Sequence, residues 1–150
     1  MEPEPRVVAI TGADACAEAG KWLILAEPVH RQLRPQLPGD YVSRMSEIFR
    51  SGVNMALVVD SDSVICVALW RVIENTYEGR RLYVDDLVSA ENRRSGGAGK
   101  MMLGWLEMKA VELGCQVLAL DSGVQRQRAH RFYFREGMHI SSFCFRKNLQ

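Results

Sequence analysis

Residues 93 to 100 read Arg-Arg-Ser-Gly-Gly-Ala-Gly-Lys, with three glycines in four positions. Glycine lets a backbone turn sharply and lets a ligand approach it closely. Where such a loop opens a helix, the first amides lack a helical acceptor and sit at the positive end of the helix dipole, so a phosphate or diphosphate fits there. Two phosphate loops are excluded by single residues. A Walker loop needs glycine where Arg94 stands and serine or threonine where Met101 stands; the dinucleotide fingerprint needs a minimal side chain where Met102 stands. What remains is Arg94, two residues, Gly97, one residue and Gly99. The alternative for such a cluster is a tight connection and nothing more.

Upstream, Asp85 and Asp86 are adjacent in a strand otherwise made of apolar residues, and the two-residue period of a strand sends them to opposite faces. One of the two must face the ligand side of the sheet. The alternative is a pair of strand-edge carboxylates, one solvated and one paired with Arg80, Arg81 or another cation. Downstream, Phe132, Tyr133 and Phe134 are consecutive on a helix, so they cannot all face one core. Arg126, Arg128, Arg131 and Arg135 make that helix basic; with Arg93 and Lys100 they either surround phosphates or form a solvated face. His30, His130 and His139 have no metal-like spacing and read as structural or exposed, His139 being the one worth testing. Cys16, Cys66, Cys115 and Cys144 are scattered in apolar runs and read as buried thiols, so no metal is expected. Trp22, Trp70 and Trp105 read as core.

These residues need elements to hold them. Residues 7 to 11 read as a strand, and 14 to 35 as a helix that Pro28 kinks or splits. Asp40 caps a second helix with Tyr41, Met45 and Ile48, and also Val42 and Phe49, on its apolar side, and Gly52 stops it. Runs 54 to 60 and 64 to 73 flank Ser61 and Asp62 as a hairpin; the second is apolar on both faces and therefore central. A turn at Glu78 and Gly79 leads to a third strand, 82 to 88. A helix over 98 to 113 follows, then a strand at 116 to 121, a short helix at 125 to 136 and a last alternating strand at 139 to 147. The expected fold is α/β, with a mixed and mostly antiparallel sheet flanked by helices.

The chain has 150 residues, 47% hydrophobic and 25% charged, which suits one globular domain over residues 1 to 150. A net charge of +1 gives no field for a polyanion, so nucleic acid is not an expected partner. No run is long and apolar enough for a membrane, and the first residues lack the basic and apolar regions of a secretory signal; a cytoplasmic protein is expected.

The loop from Arg94 to Gly99 resembles the pyrophosphate loop of the GNAT acyltransferase superfamily, and residues 129 to 138, AHRFYFREGM, resemble that family's second motif. Ala129 stands 30 residues and Tyr133 34 residues beyond Gly99, and the two motifs come in the family's order, the first between a strand and a helix. The resemblance implies a splayed strand pair holding acetyl-CoA, with backbone contacts at Leu87, Val88 and Ser89, Val88 polarising the thioester carbonyl. It implies cofactor contacts at Arg93, Arg94, Ser95, Gly96, Gly97, Ala98, Gly99, Lys100, Arg126 and Ala129. Arg126 precedes Ala129 by three residues, where the family often has asparagine, so that contact departs from the pattern. Tyr133 aligns with the tyrosine that protonates the coenzyme A thiolate, and packing beside its aromatic neighbours is the alternative. Asp85 and Asp86 fall where diamine acetyltransferases of the family carry a Glu-Asp pair. The implied function is N-acetylation of a small-molecule primary amine by direct attack; a protein or peptide acetyltransferase and a noncatalytic acetyl-CoA-binding module are the alternatives. By family analogy residues 14 to 52 roof the acceptor pocket, where Arg31, Arg34 and Arg44 are available to a carboxylate, and a homodimer is possible.

Overall fold

A computed structural model describes residues 4–10, 17–94 and 96–150. By contacts the chain forms two compact units, Met1–Ala119 and Leu120–Gln150. Strands β1 (Arg6–Ile10), β2 (Asn54–Asp60), β3 (Ser63–Asn75), β4 (Gly79–Ser89) and β5 (Val117–Leu120) form one sheet in that order. The β1/β2, β2/β3 and β3/β4 pairs are antiparallel, so the sheet is mostly antiparallel and β3 is central. Val64 to Trp70 of β3 are all buried, as a strand covered on both faces requires. Ser61 takes a φ of 56° in the two-residue turn between β2 and β3, and Gly79 a φ of 82° where β4 starts.

Helices α1 (Ala17–Leu33) and α2 (Tyr41–Arg50) cover one face. Ala26 and Val29 from α1 and Tyr41, Met45 and Phe49 from α2 join Met55, Leu57, Val67, Leu69 and Val88 in one core. Burial of Met45 and Phe49 stabilises α2 by about 1.5–3 kcal/mol each. Asp40 caps α2 by accepting from Ser43 N–H at 3.1 Å. The other face carries α3 (Ala98–Glu112), where Trp105 meets Trp70 edge-on with centroids 6.2 Å apart. Gly114, with φ 74°, ends α3.

Three expectations are corrected here. Pro28 lies inside an uninterrupted α1. Proline removes the N–H that would bond Ile24 O, but Ile24 and Pro28 are both on the exposed side, where water can satisfy that carbonyl. The strand expected at 139 to 147 is absent: no regular element follows α4 (Gln127–Arg135). Alternation alone does not make a strand; a ladder partner is needed, and Ile140, Phe143 and Phe145 stand exposed. Finally, Cys66 is buried as expected, whereas Cys115 is only partly covered and Cys144 is exposed; Cys16 lies outside the described residues.

Candidate active site

The site begins with an irregularity in β4. Trp70 pairs with Val84 and Leu69 with Asp86, leaving Asp85 as one extra residue, a β-bulge. Val84, opposite Trp70, lies on the α3 face; Asp86, opposite Leu69, lies on the face under α1 and α2. In a regular strand residues two apart share a face, so the bulge turns Asp86 toward α1. The expectation that the two aspartates point to opposite faces is therefore corrected. Asp85 is gripped by Arg71, the neighbour of Leu69 two residues along β3, through Nε at 2.9 Å and Nη2 at 2.7 Å.

Asp86 is 8% exposed and held on both carboxylate oxygens. His30 Nε2 donates to Oδ2 at 2.7 Å, and Arg34 reaches Oδ1 through Nε at 2.8 Å and Nη2 at 2.7 Å. An ionised carboxylate only accepts, so Nε2 of His30 carries the proton, and Tyr41 O–H closes the chain on Nδ1 at 2.7 Å. Burial by itself pushes the Asp86 carboxyl up, but the hydrogen bonds and charges of His30 and Arg34 outweigh it and hold the group below the usual carboxylate range. The Tyr41 phenol moves upward, by burial first and then by the charges of Glu27 and Asp86, so it stays a donor. Outside this chain, burial pushes the Cys66 thiol up to about 12, which leaves it inert.

Arg34, Gln36, Leu37, Pro38, Arg44, Glu47, Ile48 and Asp86 line a cleft of about 640 Å³. Asp86 is thus the one of the two carboxylates that meets the cleft. Arg31 does not: it bonds Glu27 at 2.8 Å and the Leu37 and Pro38 carbonyls, stapling the loop that leads into α2.

The glycine loop follows β4 through a 3-10 turn, Glu91–Arg93. Gly97 begins α3 at φ 87°, where a side chain is strained, and no side chain caps the helix. The first helical bond is Met101 N–H to Gly97 O at 3.0 Å, so the amides of Ala98, Gly99 and Lys100 precede it without helical acceptors. Gly96 is fixed by space as well, since a Cβ would lie 3.1 Å from Arg93 O. Arg93 is tied to Asp60 at 2.6 Å, and Arg94 stands 3.9 Å from Glu91; Ser95 lies outside the described residues.

The β3/β4 ladder also decides which β4 amides face away from β3. Ala90 N–H bonds Ile65 O at 2.9 Å. In an antiparallel ladder alternate residues face the same neighbour, so Val88 N–H also faces β3, while Leu87 and Ser89 face the other way. The amide expected to polarise a carbonyl is moved accordingly from Val88 to Leu87 or Ser89.

Tyr133, Arg126 and Ala129 belong to the second unit. Tyr133 is buried on α4 with its ring 5.6 Å from that of Phe132, and Arg126 is the uncapped first residue before the helix. His130 contacts Ser122 at 3.0 Å, a local contact, and His139 is exposed. Among the described residues, no three His, Cys, Asp or Glu side chains gather as a metal site, and no helix is long and apolar enough to cross a membrane.

His30, Tyr41 and Arg34 enter the site without having been singled out as a unit. A signal existed for His30: Leu23, Ala26 and His30 follow helix spacing on the buried stripe of α1, where an unpaired imidazole is costly and implies a partner.

The acetyltransferase (GNAT) family model matches residues 23–138. The chain belongs to the GNAT family. This GNAT acetyltransferase is 34% identical over 125 residues to the uncharacterized N-acetyltransferase YhdJ of Bacillus subtilis (strain 168), covering 80% of this chain and 87% of that protein. An aminoalkylphosphonate N-acetyltransferase of Salmonella typhimurium is 36% identical over 66 residues, 44% of this chain and 43% of the relative. The fold is shared with the crystallised aminoglycoside N-acetyltransferase AAC(6')-Iy in complex with CoA, at a TM-score of 0.77 and 14% identity over 98% of this chain and 96% of that one. The chain is accordingly an acetyl-CoA-dependent acyltransferase with the mostly antiparallel sheet of its family.

Proposed function

We propose that this GNAT enzyme acetylates a primary amine of a small molecule by direct attack on acetyl-CoA, with Asp86 as the carboxylate that meets the amine. The observation that carries this is a buried, ionised Asp86 opening on a cleft whose volume of about 640 Å³ is that of a small-molecule site. The Salmonella relative, named for a small aminated acceptor, supports the same substrate class.

In this reading the free amides at the start of α3 receive the diphosphate of acetyl-CoA, with Arg94 and Lys100 beside them. Arg126 and Ala129 are assigned by the second motif. Leu87 or Ser89 N–H polarises the thioester carbonyl. The amine lone pair attacks the carbonyl carbon, and the nitrogen, made acidic by bond formation, gives its proton to Asp86. Collapse of the adduct breaks the C–S bond, and the thiolate takes a proton from Tyr133. Exchange with bulk water then takes the proton from Asp86 and restores one to Tyr133, and the products are an N-acetyl compound and free coenzyme A. The scheme calls for no metal.

The test is acetyl-CoA consumption over amino acids, simple amines, polyamines, aminoglycosides and short peptides, comparing the native chain with Asp86→Asn. Turnover confined to peptides, or turnover unchanged in Asp86→Asn, overturns the assignment.

A further inference from the structure

Beyond a small amine, we infer that the acceptor carries an anionic group next to its amine, bound by Arg34 and Arg44. This rests on the acetylation reading and names the substrate class within it.

Lone pairs limit what Asp86 can offer. Oδ1 already accepts from Nε of Arg34, with Nη2 of the same guanidinium 2.7 Å away, and Oδ2 accepts from His30. A carboxylate has about four acceptor sites, so Oδ2 keeps one position for an amine N–H, while the second position of Oδ1 lies beside the Arg34 guanidinium. The ionised side chains around the cleft are Arg34, Arg44, Glu47 and Asp86, two of each sign, giving zero net charge. A polycation entering such a cleft would meet two guanidinium groups and no surplus of negative charge. An acceptor with one ammonium and one anion matches each charge with its opposite.

The arginines are free to take that role in different ways. Arg34 spends Nε on Asp86 and Nη2 on Asp85 O at 3.2 Å, and neither bond uses Nη1. It is therefore oriented by its own ion pair while an edge of its fork stays unspent. Arg44 pairs with Glu47 at 3.0 Å, three residues on in the same helix, and both side chains are about half exposed at 48% and 57%. An exposed pair of this kind contributes little, so Arg44 can exchange Glu47 for a ligand anion at small cost. Guanidinium groups suit carboxylate and phosphonate alike, since both present paired oxygens to the fork.

The experiment compares kcat/KM for β-alanine, 2-aminoethylphosphonate, propylamine and spermidine with saturating acetyl-CoA. One or both anionic amines should exceed propylamine by about tenfold or more, the size of a charged hydrogen bond. Arg44→Gln should reduce that preference mainly through KM, and Arg44→Lys should restore part of it. The carboxylate and phosphonate arms identify which anion is used. Spermidine or propylamine outperforming both anionic amines overturns the inference and leaves acetylation standing, as does a preference that Arg44→Gln does not move. Absence of turnover with all four, together with absence of turnover on the wider amine panel, overturns both.

Discussion

His30 Nε2 lies 2.7 Å from Asp86 Oδ2, so helix α1 and strand β4 are joined through one buried hydrogen bond between residues 56 apart in sequence. The bond does two things: it keeps the imidazole satisfied in the core and it fixes the orientation of the buried carboxylate that reaches the cleft. Removing either partner leaves a polar group with less than it needs.

His30→Ala is expected to lower unfolding free energy by about 1–3 kcal/mol, through loss of a charged hydrogen bond and an unfilled space. Urea denaturation measures it. His30→Gln, which can still donate to Asp86, should recover part of the stability.

Tyr41→Phe removes the donor to His30 Nδ1 and should cost about 1 kcal/mol. Its kcat should fall less than that of Asp86→Asn, because the phenol acts through His30. A kcat for Tyr41→Phe as low as that of Asp86→Asn would place the phenol itself at the reacting atoms.

Asp86 makes stability depend on pH in a definite direction. Its folded pKa is depressed, so its contribution is fully present above the unfolded value of about 3.9 and is lost as pH falls through the folded value. Denaturation midpoints taken from pH 6 to pH 2 should therefore fall in the acid range, and Asp86→Asn should flatten that part of the curve. A profile identical in the two proteins would remove Asp86 from the acid response.

Gly97→Ala forces a side chain onto a residue at φ 87°, a cost of about 1–2 kcal/mol, and displaces the amides that follow. Calorimetric titration should show weaker coenzyme A binding. Gly104→Ala, inside α3 with nothing within 4 Å of the added Cβ, is the control for a general effect on the helix.

Tyr133→Phe should reduce kcat by about a hundredfold if the phenol protonates the leaving thiolate, with KM for the amine little altered. The pH profile of kcat should lose its alkaline limb. An unchanged rate returns Tyr133 to a packing role.

Much of the frame was legible because local chemistry and fold agree. Asp40 as cap with Met45 and Phe49 at helix spacing, Ser61 and Asp62 between two apolar runs, and Gly114 after α3 each appear where the sequence puts them. The glycine loop was legible for the same reason: positive φ at Gly97 is a local demand. The failures involve partners far away in sequence. Whether Asp86 faces α1 depends on a bulge defined only by the ladder with β3, and the state of Val88 N–H depends on that same ladder. His30 reads as a lone histidine until Asp86 and Tyr41 are brought to its two nitrogens. Residues 139 to 147 have a strand's alternation and no strand beside them.

The surplus residue in β4 carries a consequence for how this enzyme can vary. Deleting Asp85 would restore an even strand in which Asp86 still stands opposite Leu69, so the acid of the cleft would survive while Arg71 lost its counterion. Sliding the irregularity one step along the strand would instead deliver Asp85 to the same spot. The doubled aspartate thus makes the position of the carboxylate tolerant of slippage, a redundancy that single substitutions would never reveal.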